Sequence, residues 1–222
     1  MAIKAILFDL DNTLIDFWKM KQEASRAAVS AMMKVGLEVD KDEAYKEIMR
    51  LFMKLGVESE NIFQEFLKSK VGRADEKMLA AAINAYLKTK NNFLKPYPNI
   101  KPTLKELKKR KIKLAIVSDA PKVKAYQRLL AMNIEKYFDF VIGFEDTGKK
   151  KKDELPLKMA IEKLELDSKE IMMVGDSIKR DVLPAKKLDL ISVFAKYGSL
   201  EKIEKIKQDF ELSEFSYILK LV

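Results

Sequence analysis

Along this chain, short unbroken apolar runs are separated by stretches in which apolar residues recur every three to four positions. Residues 3–8 (IKAILF) form the first run, and it ends abruptly in acids. Further runs lie at 113–117 (KLAIV), 140–142 (FVI), 171–174 (IMMV) and 190–193 (LISV). Continuous apolar runs of this length, bounded by polar residues, predict parallel strands buried on both faces. The periodic stretches at 102–110, 122–132, 156–164 and 179–186 predict helices. Their alternation predicts an α/β fold built on a doubly wound parallel sheet.

The first two predicted strands are far apart, whereas successive strands of a βαβ unit are separated by about 30 residues. The segment between them carries helical periodicity, as in QEASRAAVSAMMK, DEAYKEIMRLFMKL, NIFQEFLK and DEKMLAAAINAYLK. This predicts a helical insertion over residues 17–93, placed directly after the first strand, within an α/β core made of 1–16 and 94–222. Pro96 and Pro98 suit a stiff return linker. Residues 213–221 predict a terminal helix with Ser213 as N-cap.

Composition narrows the chemistry. The 222 residues include neither cysteine nor histidine, which excludes disulfides, thiolate or imidazole metal sites and histidine-based nucleophile activation. Acid–base work then falls to carboxylates, lysines or tyrosines. No apolar run approaches the ~18 residues of a membrane span. The N-terminal MAIKAILFDLD has acids where an export signal needs an apolar core, so a cytoplasmic protein is expected. The net charge of +9 comes from interspersed rather than segregated residues, and it suits attraction of a small anion as well as it suits nucleic acid.

The ends of the predicted strands carry the reactive groups. Asp9-Leu10-Asp11-Asn12-Thr13 follows the first strand, Ser118-Asp119 the second, and Gly175-Asp176-Ser177-Ile178-Lys179-Arg180-Asp181 the fourth. Lys149 to Lys152 lie between the third strand and the next helix. Strand alternation would put Asp9 and Asp11 on one side. Several carboxylates within a few ångströms cannot all stay ionised without a cation, and an oxygen-only donor set suits Mg²⁺. Such an ion would hold a phosphate against a carboxylate nucleophile, with a serine hydroxyl and a lysine stabilising the phosphoryl oxygens. Alone, each element has a plainer reading: a turn, a helix cap or a solvated lysine loop. Four such elements at successive strand ends make phosphoryl transfer the better account.

FDLDNTL, VSDA, the lysine stretch and VGDSIKRD together resemble, in order and spacing, the four motifs of the haloacid dehalogenase-like hydrolase superfamily. The resemblance covers nearly the whole chain and implies a Rossmann-like core, with the insertion as a helical cap. It implies Asp9 as nucleophile and Mg²⁺ ligand. Asp11 would be the general acid and base, with its backbone carbonyl on Mg²⁺. Ser118 would bind a phosphoryl oxygen, Asp176 would ligate Mg²⁺, and Asp181 would be a metal ligand or its support. The phosphate-neutralising lysine fits Lys151 best by its distance from the following helix, with Lys150 and Lys152 as alternatives. Thr13 would orient the nucleophile loop, and Thr13, Asn12 and Asp119 count among the candidate substrate-binding residues. Trp18, with Lys19, is a candidate for substrate contact from the start of the insertion.

The implied reaction is Mg²⁺-dependent hydrolysis of a small phosphorylated metabolite, such as a triose or sugar phosphate or phosphoglycolate. A 2-haloacid dehalogenase on the same fold would need neither Asp11 as acid nor a metal, and a phosphomutase would share these residues. A non-catalytic binder of phosphate or nucleic acid would leave Asp9, Asp11 and Asp176 unexplained. No nucleic-acid or membrane partner is expected, and the sequence carries no reading of oligomeric state.

Overall fold

A computed structural model describes residues 2–201 and 208–222. The chain forms two compact units, one of Met1–Asp16 with Lys95–Val222 and one of Phe17–Leu94. After β1 (Ala5–Phe8) come the four helices of the second unit: α1 (Phe17–Lys34), α2 (Lys41–Leu55), α3 (Ile62–Val71) and α4 (Glu76–Phe93). The first unit resumes with α5 (Ile100–Lys109), β2 (Lys113–Val117), α6 (Lys122–Met132), β3 (Phe140–Ile142) and α7 (Phe144–Thr147). It continues through α8 (Leu155–Leu164), β4 (Ile171–Gly175), α9 (Leu183–Lys187), β5 (Ile191–Ala195) and β6 (Phe210–Leu212).

The helical unit is held by one apolar cluster. Ala28, Val29 and Met32 of α1 meet Ile48 and Phe52 of α2 and Phe66 and Leu67 of α3. Helix starts are set by side chains: Asp40 accepts from the Glu43 amide at 2.8 Å and Asp75 from the Met78 amide at 3.0 Å. Lys21 is buried in this unit, its ammonium 4.2 Å from the Phe52 ring centre, where the ring face offsets part of the desolvation.

The first unit is a six-stranded sheet in the order β3-β2-β1-β4-β5-β6. Every neighbouring pair is parallel. Leu7, Val117 and Met173 on one face pack against Leu157, Ala160 and Leu164 of α8. On the other face the Phe8 ring meets Phe138 at 6.2 Å and Phe215 at 5.6 Å. Cover on both faces is the reason these strands read as unbroken apolar runs.

Three local expectations are corrected. The sheet gains a sixth strand, β6, in which only Leu212 is buried, so no apolar run announced it. The expected terminal helix over 213–221 is a 3₁₀ segment, Phe215–Lys220, preceded by Glu214 rather than capped by Ser213. Its buried residues Phe215 and Ile218 are three apart, the period of a 3₁₀ helix. The helix expected over 179–186 opens as a π-turn, Ile178–Val182, before continuing as α9.

Candidate active site

The strand order reverses on either side of β1, which lies between β2 and β4. Ligands of open α/β sheets bind at such a switch point, beyond the carboxyl ends of the strands. Phe8 is in register with Ile116 and with Val174, so Asp9, Ser118 and Asp176 leave the sheet beside one another.

Asp9, Asp176 and Asp181 are buried, and each offers an oxygen lying within 4.8 Å of the others. The Lys151 side chain is 1 % exposed, and its ammonium pairs with Asp9 Oδ1 and, at 2.7 Å, with Asp181 Oδ1. The contact to Asp181 is an ion pair without hydrogen-bond alignment. Burial works against the Lys151 charge, but Asp181, Asp9 and Asp119 outweigh it and hold the ammonium protonated. Lys150 and Lys152, by contrast, are exposed. Asp119 Oδ1 accepts from the Lys151 amide at 2.8 Å, so Asp119 anchors the lysine's backbone.

One ammonium does not neutralise three buried carboxylates. Burial first, then the charges of Asp9 and Asp181, push the Asp176 carboxyl up to about 8. Burial also raises Asp181 to about 6 against the pull of Lys151. The Arg180 guanidinium reaches Asp176 Oδ1 only at 3.5 Å and is partly exposed. A compact, oxygen-only, charge-deficient cluster fits a hard divalent cation.

The loop that carries Asp9 is fixed from several sides. The Thr13 hydroxyl donates to Asp9 Oδ2 at 3.1 Å. Asn12 takes a left-handed φ of 63°, which asparagine tolerates better than most residues, and its amide reaches Asp176 Oδ2 at 3.4 Å. The Tyr197 hydroxyl donates to the Thr13 carbonyl at 2.6 Å. Burial, with Tyr97 and the nearby acids, pushes that phenol well above its usual range, so it stays a donor. A Cβ at Gly198 would come within 1.6 Å of the Asn12 carbonyl oxygen, so only glycine lets this segment lie against the loop.

The turn after β4 is equally tight. Asp181 Oδ2 accepts from the Ser177 amide at 3.0 Å, and the Ser177 hydroxyl donates to Glu201 at 2.6 Å. A Cβ at Gly175 would come within 2.2 Å of the Asp181 carboxyl carbon. Gly175→Ala is therefore expected to dislodge Asp181 from Lys151. Overpacking costs about 1–3 kcal/mol, roughly a 2–12 °C lower melting temperature. Thermal unfolding by circular dichroism checks this, and an unchanged melting point would mean that Asp181 yields freely.

Not every expected residue joins the cluster. β1 ends at Phe8, Asp11 forms only an isolated bridge with Ile15, and its carboxylate is not among the three that cluster. Instead Asp11 Oδ2 accepts from Arg128 Nη1 at 2.9 Å. Ser118 is buried, and its hydroxyl accepts from the Ala120 amide at 3.2 Å. Trp18 belongs to the helical unit, edge-on to Phe17 with ring centres 6.1 Å apart.

Arg128, Tyr197, Gly198 and Glu201 were not anticipated. Arg128 did leave a signal: Ala125, Arg128, Leu129 and Met132 form the buried stripe of α6, and a charge on an apolar stripe needs a partner.

Residues 6–195 match the family of haloacid dehalogenase-like hydrolases. The chain belongs to this family. It is 32% identical to the glyceraldehyde 3-phosphate phosphatase of Methanocaldococcus jannaschii, over 96% of this chain and 92% of that protein. It is 30% identical to a phosphoglycolate phosphatase of Aquifex aeolicus, over 99% of this chain and 97% of the relative. Its fold resembles that of the HAD-hydrolase YfnB of Bacillus subtilis, solved bound to magnesium. The TM-score is 0.73 at 17% identity, covering 100% of this chain and 99% of the other. Among the described residues, no helix is long and apolar enough to cross a membrane.

Proposed function

We propose that this chain is a Mg²⁺-dependent phosphatase that hydrolyses the monoester of a small phosphorylated metabolite through an aspartyl-phosphate on Asp9. The observation that carries the reading is the buried Lys151 ammonium on Asp9, inside a cluster of three carboxylates. A charged lysine against the attacking oxygen is suited to receive a phosphoryl group whose charge must be neutralised.

In the first step Asp9 attacks phosphorus. The bond to the leaving oxygen breaks, and that oxygen takes its electron pair and a proton from Asp11. In the second step Asp11 accepts a proton from water, whose oxygen attacks phosphorus and frees the Asp9 carboxylate. Thr13 holds the second oxygen of Asp9, Lys151 offsets charge on the phosphoryl group, and Ser118 donates to one of its oxygens. Asp9, Asp176 and Asp181 would hold Mg²⁺, with the Asp11 carbonyl completing the set. The bound ion would neutralise charge on the transferring phosphoryl group. Asn12 and Asp119 hold Asp176 and the Lys151 backbone, and both remain within the set proposed to meet the substrate.

Triose phosphate and phosphoglycolate are the substrates to try first, because the relatives at about this identity carry those names. The inserted helical unit, with Trp18 and Lys19, is read as the cap that selects the organic part of the substrate. A cytoplasmic location is part of this proposal, as it suits an enzyme acting on such metabolites.

The test is phosphate release from glyceraldehyde 3-phosphate, phosphoglycolate and other small esters, with Mg²⁺ and with chelator. Losing several kcal/mol of charge stabilisation predicts a fall of roughly 10²–10³-fold in chelator, restored by Mg²⁺. Metal-independent turnover, or halide release from 2-haloacids in place of phosphate release, would overturn the reading.

A further inference from the structure

We infer that Arg128 is a positioning residue for the reaction, gripping Oδ2 of Asp11 and so fixing the direction in which that carboxylate reaches the leaving group. The inference rests on the phosphatase reading, in which Asp11 serves the leaving oxygen.

Arg128 has a side chain only 3 % exposed, on α6, a helix outside the strand-end loops that carry the rest of the site. Burying a guanidinium costs several kcal/mol unless it is paired, and a helix that needed only packing would carry an apolar residue in this stripe. The Arg128 Nη1 to Asp11 Oδ2 contact is 2.9 Å, a charge-assisted hydrogen bond spanning 117 positions of sequence. Asp11 follows the end of β1 and precedes Asn12 in its left-handed conformation, so the backbone alone does not give its side chain a strand-like direction. The guanidinium supplies that direction from a rigid helix. Asp9 is held by partners of its own, Thr13 and Lys151. Loss of Arg128 should therefore impair proton delivery and spare assembly of the nucleophile cluster.

Leaving groups separate these two effects. An alkyl alcohol needs its proton as the P–O bond breaks, whereas p-nitrophenolate departs with little help. Positioned proton transfer contributes about 10²–10⁴-fold, so misplacing the donor is expected to lower kcat/KM for an alkyl phosphate by roughly 30–100-fold. For p-nitrophenyl phosphate the fall should stay within about threefold.

The experiment compares Arg128→Met and Arg128→Lys with the unaltered protein on glyceraldehyde 3-phosphate or phosphoglycolate, whichever it hydrolyses, and on p-nitrophenyl phosphate. Inhibition by inorganic phosphate is measured alongside. The expected result is a selective loss on the alkyl ester, unchanged phosphate inhibition, partial recovery in Arg128→Lys, and recovery of Arg128→Met by added guanidinium at low concentration. Equal losses on both esters, or no loss on either, would overturn the inference. Should Arg128→Met fail to fold, Arg128→Lys against the unaltered protein gives the same leaving-group comparison. If the unaltered protein hydrolyses no phosphate ester, the phosphatase reading itself has failed, a result distinct from any comparison of variants.

Discussion

Asp9→Asn is expected to abolish turnover, lowering kcat by roughly 10⁴-fold or more, about 5.5 kcal/mol of barrier. Asparagine matches aspartate in shape, but its one oxygen can serve only one of the two donors on Asp9, the Thr13 hydroxyl at 3.1 Å or the Lys151 ammonium. Its amide cannot attack phosphorus. The loss therefore falls mainly on the chemical step, so the variant, with Asp176 and Asp181 intact, should still be stabilised against thermal unfolding by phosphate esters at high Mg²⁺. A single turnover of the unaltered protein in ¹⁸O-water adds a second readout. In the proposed route water attacks phosphorus, so the label enters the released phosphate. In a dehalogenase the covalent intermediate is an alkyl ester of Asp9 hydrolysed at its acyl carbon, so the label would enter Asp9. Label in the aspartate, or an Asp9→Asn protein with near-normal kcat after mass spectrometry has excluded deamidation, would defeat the assignment of Asp9 as phosphoryl acceptor.

The parts of the molecule that were legible beforehand are those where chemistry and periodicity coincide. β1 is four fully buried residues followed by an acid, and that discontinuity located Asp9 from the sequence. Lys151 was one of four consecutive lysines, and the ammonium that turns inward is the one whose backbone amide Asp119 holds. That hydrogen bond joins residues 32 positions apart, which no local pattern reports. Asp11 was read through strand alternation, a rule that stops where the strand does, at Phe8. Tyr197 and Gly198 follow β5 without any motif, and their part in shaping the loop after β1 depends on close approach to Thr13 and Asn12 from across the fold. Arg128 was the readable omission, because its position on the α6 stripe is periodic and its charge there calls for a buried partner. β6 and the 3₁₀ segment after it were missed for a different reason. Each buries only one or two side chains, Leu212 in one and Phe215 with Ile218 in the other, too few to set a period.

Lys151→Met is expected to damage stability and activity together, and Mg²⁺ should separate the two. Methionine replaces much of the volume of this buried side chain but leaves Asp9 and Asp181 without the ammonium that pairs with both. Breaking a buried ion pair from one side costs about 3–5 kcal/mol, because the remaining charge is buried and uncompensated. For a chain of this size that is a melting temperature lower by roughly 6–20 °C in chelator. A divalent cation among Asp9, Asp176 and Asp181 replaces part of the missing positive charge, so Mg²⁺ should raise the melting temperature of the variant more than that of the unaltered protein. Turnover should not follow. In the proposed mechanism the ammonium neutralises the phosphoryl group itself, and losing one such group costs about 10²–10³-fold in kcat even when the site is assembled. Thermal unfolding in chelator and in Mg²⁺, with phosphate release at saturating Mg²⁺, tests both halves. A variant that Mg²⁺ stabilises no more than the unaltered protein would remove the carboxylate cluster as the metal site. One that recovers full turnover in Mg²⁺ would show that Lys151 serves only to hold the acids together before the ion binds.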